Sequence, residues 1–422
     1  MKVFKFGGAS VKDAAGVRNV AKVLSHFLDD DLLIVVSAIG KTTNALEEVF
    51  QEYREGKTQD FQSRERLESL RADHVYLLLE VAPDDIVTSS RLQLEFDRLS
   101  SFLNSEPSDE PDCDYDQIVS QGEVWSTLIV SAHLKNAGLD NTWVDARGIV
   151  RTDDLFRAAR LDWSSCERNA EAALKPVLER KPARIVTQGF IGSTEDGLTT
   201  TLGREGSDFS AAIFAYLLDA ESVTIWKDVP GMFNADPKLF PDTKLLSHIS
   251  YREAIELSYF GASVIHPRTL QPLQKKHIPL YVRSFIDLQA PGSTIDDRSE
   301  NDSLIPSFIV KPKQLLISIT PRDLSFIVEE NLSGIFKLFA DKNVRIDLMQ
   351  NSAVAFSVVV DDSPRSRELI AELQKDYEVR YNDSCELVTV RHFDEPTLAK
   401  LTTGKELLIE QRSRNTARFV LK

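Results

Sequence analysis

The sequence predicts an α/β layer fold with a mainly parallel sheet, followed by a smaller α+β unit. Three observations carry this expectation. Short apolar runs alternate with amphipathic stretches of helical period, glycine-rich turns close several of those runs, and the rhythm changes past residue 313.

Lys2–Phe6, Leu32–Ser37, Thr142–Val144, Arg184–Thr187, Ser222–Trp226 and Leu280–Arg283 read as buried strands. Ala15–Leu28, Glu123–Lys135 and Asp208–Leu218 read as helices between them. Ala45 to Asp114 interrupts the alternation with Glu, Arg, Gln and Leu at helical spacing. It ends in an acidic segment, Ser105–Asp116, expected to be a solvated loop. Gly, Pro, Ser and Asp accumulate over Asp287–Lys313, as in a linker. The order then becomes strand (Gln314–Thr320), helix (Val328–Lys342), strand (Val344–Asn351), strand (Ala353–Asp361), helix (Arg365–Lys375), strand (Glu378–Asn382). This is a β-α-β-β-α-β unit. An abbreviated second unit follows: strand Cys385–Arg391, a helix near Leu398, and strands Glu406–Arg412 and Thr416–Leu421.

At 422 residues the chain is long enough for more than one domain, and 42% hydrophobic with 27% charged residues is a globular composition. A formal charge of −15 argues against a general nucleic-acid binder. No apolar run nears the roughly 20 residues that cross a bilayer. With a candidate first strand beginning beside Met1, a cleavable leader is not expected. The expectation is a cytoplasmic protein with neither nucleic-acid nor membrane partners. Cys113, Cys166 and Cys385 are too few and too far apart for a disulfide framework or a thiolate metal site, and read as free thiols.

Lys5-Phe6-Gly7-Gly8-Ala9-Ser10 places two glycines and a lysine where a strand hands over to a helix. Backbone N–H groups and a helix N-terminus suit phosphate oxygens there, although a Gly-Gly turn alone is usually only a turn. Gly40-Lys41-Thr42 imitates a P-loop, but that motif needs glycine where Val35 stands. Ser37 and Thr43 suit instead a strand-end loop whose hydroxyls meet a ligand. Gly203-Arg204-Glu205-Gly206-Ser207-Asp208 is a glycine-spaced turn opening a helix, in which Asp208 could simply be a cap. Asp228-Val229-Pro230-Gly231, Asn234-Ala235-Asp236-Pro237-Lys238 and His266-Pro267 mark further loops, the histidine reading as structural. Such loops at the ends of parallel strands point to phosphoryl transfer or nucleotide binding.

Taken in order, KFGGAS (Lys5–Ser10), SAIGKTTN (Ser37–Asn44), SQGE (Ser120–Glu123), VDARGIVRTDD (Val144–Asp154), TLGREGSD (Thr201–Asp208), KDVPGMFNADPK (Lys227–Lys238) and FGASVIHP (Phe260–Pro267) resemble the aspartokinases of the amino acid kinase superfamily. The resemblance implies a three-layer αβα kinase domain over residues 1–286 and a linker over 287–313. ACT-like modules of ferredoxin-like pattern would follow at 314–383 and, abbreviated, at 384–422. It implies transfer of the ATP γ-phosphate to the β-carboxylate of L-aspartate, with Mg2+, as the first step toward lysine, threonine and methionine. By the same resemblance Lys5 and Asp208 are catalytic, and Glu123 and Arg204 hold the ammonium and α-carboxylate of aspartate. Ser37, Thr43, Gly206 and Ser207 complete the substrate turn. Lys5, Gly7, Gly8, Lys227, Asp228, Phe233, Lys238 and Ser263 line the ATP pocket. Relatives often carry lysine at Ser263 and threonine at Lys227, so Lys227 is expected to replace the missing charge unless it is a solvated strand-end lysine. Asp347, Asn351 and Ser352 match the strand that receives a feedback inhibitor. Glu329-Glu330-Asn331-Leu332 lacks the glycine–phenylalanine turn of regulated relatives, so weakened feedback control is expected, together with a homodimer formed through the ACT-like modules. A fused dehydrogenase does not fit the length. The rivals are a superfamily member acting on glutamate, acetylglutamate or a nucleotide, and a non-catalytic amino-acid sensor.

Overall fold

The computed structural model describes residues 1–422 apart from Gln59, Ser263, Val264 and Leu324. The chain divides into two compact units. One holds Met1–Met232, Leu245–Ile255 and Val264–Ser299; the other holds Phe233–Lys244, Glu256–Ser263 and Glu300–Lys422.

The first unit is built on an eight-stranded sheet. Its order is His248–Ser250, Ser293–Asp296, Leu280–Ser284, Ser222–Lys227, Lys2–Phe6, Leu32–Val36, Arg184–Gln188, Thr142–Trp143. All pairings are parallel except that of Leu280–Ser284 with Ser293–Asp296. Strands covered on both faces must be apolar throughout, and Leu32–Val36 is buried at every position. Side chains alternate between the faces. Phe4, Phe6, Leu32, Ile34 and Val36 join the helices Ala14–Leu24 and Gln121–Asn136 in one core. Lys5 therefore points to the opposite face, where the helix Gly206–Leu217 packs on the same strands.

Helix Gln121–Asn136 is buried nearly all round because the helices Phe61–Val81 and Ile86–Leu103 cover it. Trp125 stacks on Phe96 at 4.0 Å and meets the His74 ring edge-on at 5.2 Å. Burying such a side chain is worth about 2–3 kcal/mol. The interrupting segment thus builds core.

Part of the expected acidic loop is itself a helix, Pro111–Val119, with proline in its first turn. Asp114 and Asp116 are buried, since Asp114 pairs with Arg54 at 2.6 Å and Asp116 accepts hydrogen bonds from Thr201. Local charge was outweighed by these partners, so the solvated-loop expectation fails there. Ser293–Asp296, expected within a linker, is a strand of the main sheet because its Ser and Ile alternate into the core.

The second unit carries a six-stranded antiparallel sheet in the order Leu348–Asn351, Phe356–Asp361, Ser307–Pro321, Tyr377–Arg391, Thr416–Leu421, Leu407–Arg412. Two strands run long. Gln314–Pro321 pairs with Cys385–Tyr377 in the first module, and Ser307–Lys311 with Arg391–Leu387 in the second. Left-handed Lys313 (φ 57°) and Ser384 (φ 56°) mark the irregularity between the halves. The second module carries the single helix Glu395–Thr402 and takes its fourth strand from ahead of the first module, where a linker was expected. Phe308 and Val310 pack there with Val388, Val390, Leu398 and Phe419. All three cysteines are free thiols. Among the described residues no helix is long and apolar enough to cross a membrane.

Candidate active site

The parallel strands Lys2–Phe6, Leu32–Val36 and Ser222–Lys227 end on the same side, so their following loops converge. Gly40 N–H donates to the Gly8 carbonyl at 3.1 Å, and Ser37 N–H to the Phe6 carbonyl at 3.0 Å. A Cβ on Gly8 would stand 2.7 Å from the Ala38 carbonyl oxygen, so only glycine allows these loops to meet. Gly7 lies beside the Lys5 ammonium, and a Cβ there would stand 3.2 Å from Nζ.

Above this junction lies a cavity of ≈ 570 Å³. Lys5, Ser37, Thr43, Glu123, Arg204, Gly206, Ser207, Asp208 and Lys227 all line it. Helix Gly206–Leu217 starts here, with left-handed Glu205 (φ 56°) as its first flanking residue. Gly206 admits the Phe190 ring, which a Cβ would meet at 2.6 Å. Asp208 is in the first turn and does not cap the helix. Its Oδ1 stands 2.7 Å from Lys5 Nζ. The distance makes an ion pair, but the approach is not aligned for a hydrogen bond, and Oδ1 has no other donor.

Glu123 enters from the first turn of Gln121–Asn136 and is 4% exposed. Burial pushes its carboxyl up to about 8, against the opposing pull of the Ala38 N–H and the Lys5 charge. Its Oε2 has no hydrogen-bond partner. Arg204, at the exposed mouth, makes no ion pair among the described residues. The cavity thus offers a buried carboxyl with no ion-pair partner, an arginine without an anion, and a lysine–aspartate pair between strand and helix.

Five residues of the site and its support went unread in the sequence. Glu47 lies one turn after Thr43 on helix Thr42–Arg54 and accepts the Tyr115 hydroxyl at 2.6 Å. Arg157 and Thr201 join them in the lining. Asp116, fully buried and pushed up to about 6 by burial, braces both. It accepts the Thr201 and Arg157 backbone N–H groups and the Thr201 hydroxyl. The available signal was Pro111 after an acidic residue, a helix start that brings the following tyrosine and aspartate inward.

Other expected site residues are placed elsewhere. Asp228 follows the strand end, exposed and outside the lining. Phe233 and Lys238 belong to the second unit, half-buried and exposed respectively. Ser263 lies outside the described residues. In the second unit Asp347 is bound by Lys311, while Asn351 and Ser352 are exposed. His266 caps helix Pro267–Lys275, accepting the Arg268 N–H.

The amino acid kinase family profile matches residues 1–284. Lysine-sensitive aspartokinase 3 of Escherichia coli is 30% identical over 398 residues, 92% of this chain and 86% of its own length. The chain belongs to the aspartokinases of the amino acid kinase family. As an aspartokinase it is a phosphotransferase, with the family's fold. Aspartokinase 1 of Arabidopsis thaliana is 30% identical over 378 residues, covering 88% of this chain and 65% of its own. The chain spans only 39% of a bifunctional maize aspartokinase/homoserine dehydrogenase. The structure of E. coli aspartokinase III with aspartate and ADP superposes with a TM-score of 0.82 at 27% identity, covering 100% of this chain and 96% of the other. The same enzyme with lysine and aspartate gives 0.83.

Proposed function

We propose that the protein transfers the γ-phosphate of ATP to the β-carboxylate of L-aspartate, giving ADP and 4-phospho-L-aspartate. The observation that carries this is the buried Glu123 carboxyl, its Oε2 without a hydrogen-bond partner, in one cavity with Arg204 and the Lys5–Asp208 pair. A free amino acid supplies what both lack: an ammonium for Glu123 and a carboxylate for Arg204, the latter held by parallel N–H donors. The acceptor carboxylate, with an ordinary pKa of about 3.9, is already ionised at neutral pH, so no general base is required. Its oxygen forms a bond to the γ-phosphorus as the bond to the β,γ-bridging oxygen breaks, and ADP leaves with that electron pair.

The difficulty is bringing one anion onto another, which positioning and positive charge relieve. Lys5 faces the transferring group, and the N–H groups of Gly7 and Gly8 face phosphate oxygens. The N-terminus of Gly206–Leu217 adds its dipole. Lys227, at the end of its strand in the same cavity, is assigned to the nucleotide. Asp228, Phe233, Lys238 and Ser263 keep that assignment by resemblance alone. Mg2+ would neutralise charge on the β- and γ-phosphates. Asp208, buried in the same cavity and ion-paired with Lys5, would be the protein group to receive a metal-bound water. The ion's remaining ligands would be phosphates and water.

We further assign domain boundaries near those of the motifs, a homodimer through the second unit, and a cytoplasmic location. The test is ADP release on adding aspartate, with glutamate as control. Aspartate alone should support turnover; equal turnover with glutamate, or none with either, overturns the assignment.

A further inference from the structure

Arg157 occupies a position that the reaction above leaves without a task. Its backbone is left-handed, φ 63°, which costs a side-chain-bearing residue energy that glycine would not lose. Residues kept in such conformations are over-determined by their surroundings and concentrate at functional sites. Two contacts hold this one. Asp116, fully buried, accepts its backbone N–H at 3.0 Å, and its guanidinium lies over the Tyr115 ring, 4.0 Å from the centroid. Tyr115 is anchored in turn through its hydroxyl to Glu47.

Arg157 lines the same cavity as Arg204. Its location is the amino-acid end. Glu47 is one turn from Thr43, and the Arg157 carbonyl lies 3.1 Å from where a Cβ on Gly203, the residue before Arg204, would stand. Its ion pair is a single contact to Asp112 at 3.3 Å between side chains about half exposed, which is a weak restraint. The remaining guanidinium N–H groups have no partner among the described residues.

We propose that Arg157 is a specificity-determining residue that joins Arg204 in binding the α-carboxylate of the amino-acid substrate, held in place by stacking on Tyr115. This rests on the aspartate kinase reading. Two guanidiniums around one carboxylate bind it more tightly than one and favour a free amino acid over a substrate whose α-carboxylate is blocked.

The variant Arg157→Gly removes the side chain while relieving the left-handed strain, so the fold should be as thermostable as the parent or more so. The KM for aspartate should rise by about tenfold or more, while kcat and the KM for ATP stay within about twofold. Arg157→Lys, which keeps the charge without the planar stack, should fall between. An unchanged aspartate KM in Arg157→Gly overturns the proposal. So does a parallel rise in both KM values with a lowered melting temperature, which marks a structural role. If the parent releases no ADP with aspartate, the reaction reading fails; if it does and Arg157→Gly matches it, only the Arg157 assignment fails.

Discussion

Glu123 is neutral below about pH 8 in the free protein, because its pocket strips away water and leaves Oε2 unpartnered. A substrate ammonium needs the ionised form. Aspartate binding near pH 7 should therefore expel a proton and tighten as pH rises toward 8. Calorimetry in buffers of different ionisation enthalpy should detect that proton, and Glu123→Gln should abolish it while raising the aspartate KM by about tenfold or more. The same shift acts on stability. The carboxyl's pKa in the folded protein lies above its ordinary value of 4.5, so folding takes up a proton between the two. That stabilisation is complete below about 4.5 and is lost as pH climbs through about 8. A flatter stability profile is expected for Glu123→Gln. Asp116 makes a second residue-scale case. Asp116→Ala would strand the Thr201 N–H and hydroxyl and the Arg157 N–H, costing about 2–4 kcal/mol in denaturant titration.

Helix Gln121–Asn136 shows how an element is fixed by polar groups inside an apolar layer. Thr127 Oγ1 accepts from the Trp143 indole at 3.0 Å and from the Gln188 amide at 2.7 Å, while Gln188 Oε1 takes the Ala146 N–H. Thr127→Val keeps the shape but leaves the buried Gln188 amide and the half-buried Trp143 indole unpaired, so a loss of about 2–4 kcal/mol is expected with little effect on either KM. Elements of this kind also show what could be read beforehand. The central strands were legible because burial on both faces demands uninterrupted apolar runs, as in Leu32–Val36. Their order was not, since pairing between Lys2–Phe6 and Ser222–Lys227 joins segments about 220 residues apart. Lys5, Arg204 and Asp208 were legible from glycine spacing and resemblance. Tyr115, Asp116 and Arg157 were not, because an acidic stretch looks solvated until its tertiary partners are known. The strand Ser307–Lys311 was likewise hidden by neighbouring Pro and Ser, and by a partner that lies beyond the whole first module.

At the scale of the molecule, the proposed regulation and assembly are tested at the second unit. The Lys311 ammonium already sits on the Asp347 carboxylate, where the resemblance would place an inhibitor's contacts. Added lysine is therefore expected to bind no tighter than about 1 mM, or about −4 kcal/mol, by calorimetry. Tight binding would show that the internal pair yields readily. Sedimentation at micromolar concentration should give a particle of twice 47.4 kDa; a monomer at all concentrations would remove the dimer assignment.

The long strand Ser307–Pro321 imposes an order in time. Ser307–Lys311 leaves the ribosome first, yet its partner Leu387–Arg391 follows only after the whole first module has been made. At roughly 5–20 residues per second, the wait from Lys311 to Leu387 is roughly 4–15 s. Throughout that interval the segment carrying Phe308 and Val310 has no sheet partner on that side and no second-module core to enter. All strands of the inserted module are therefore synthesised before the module that encloses it has all of its own.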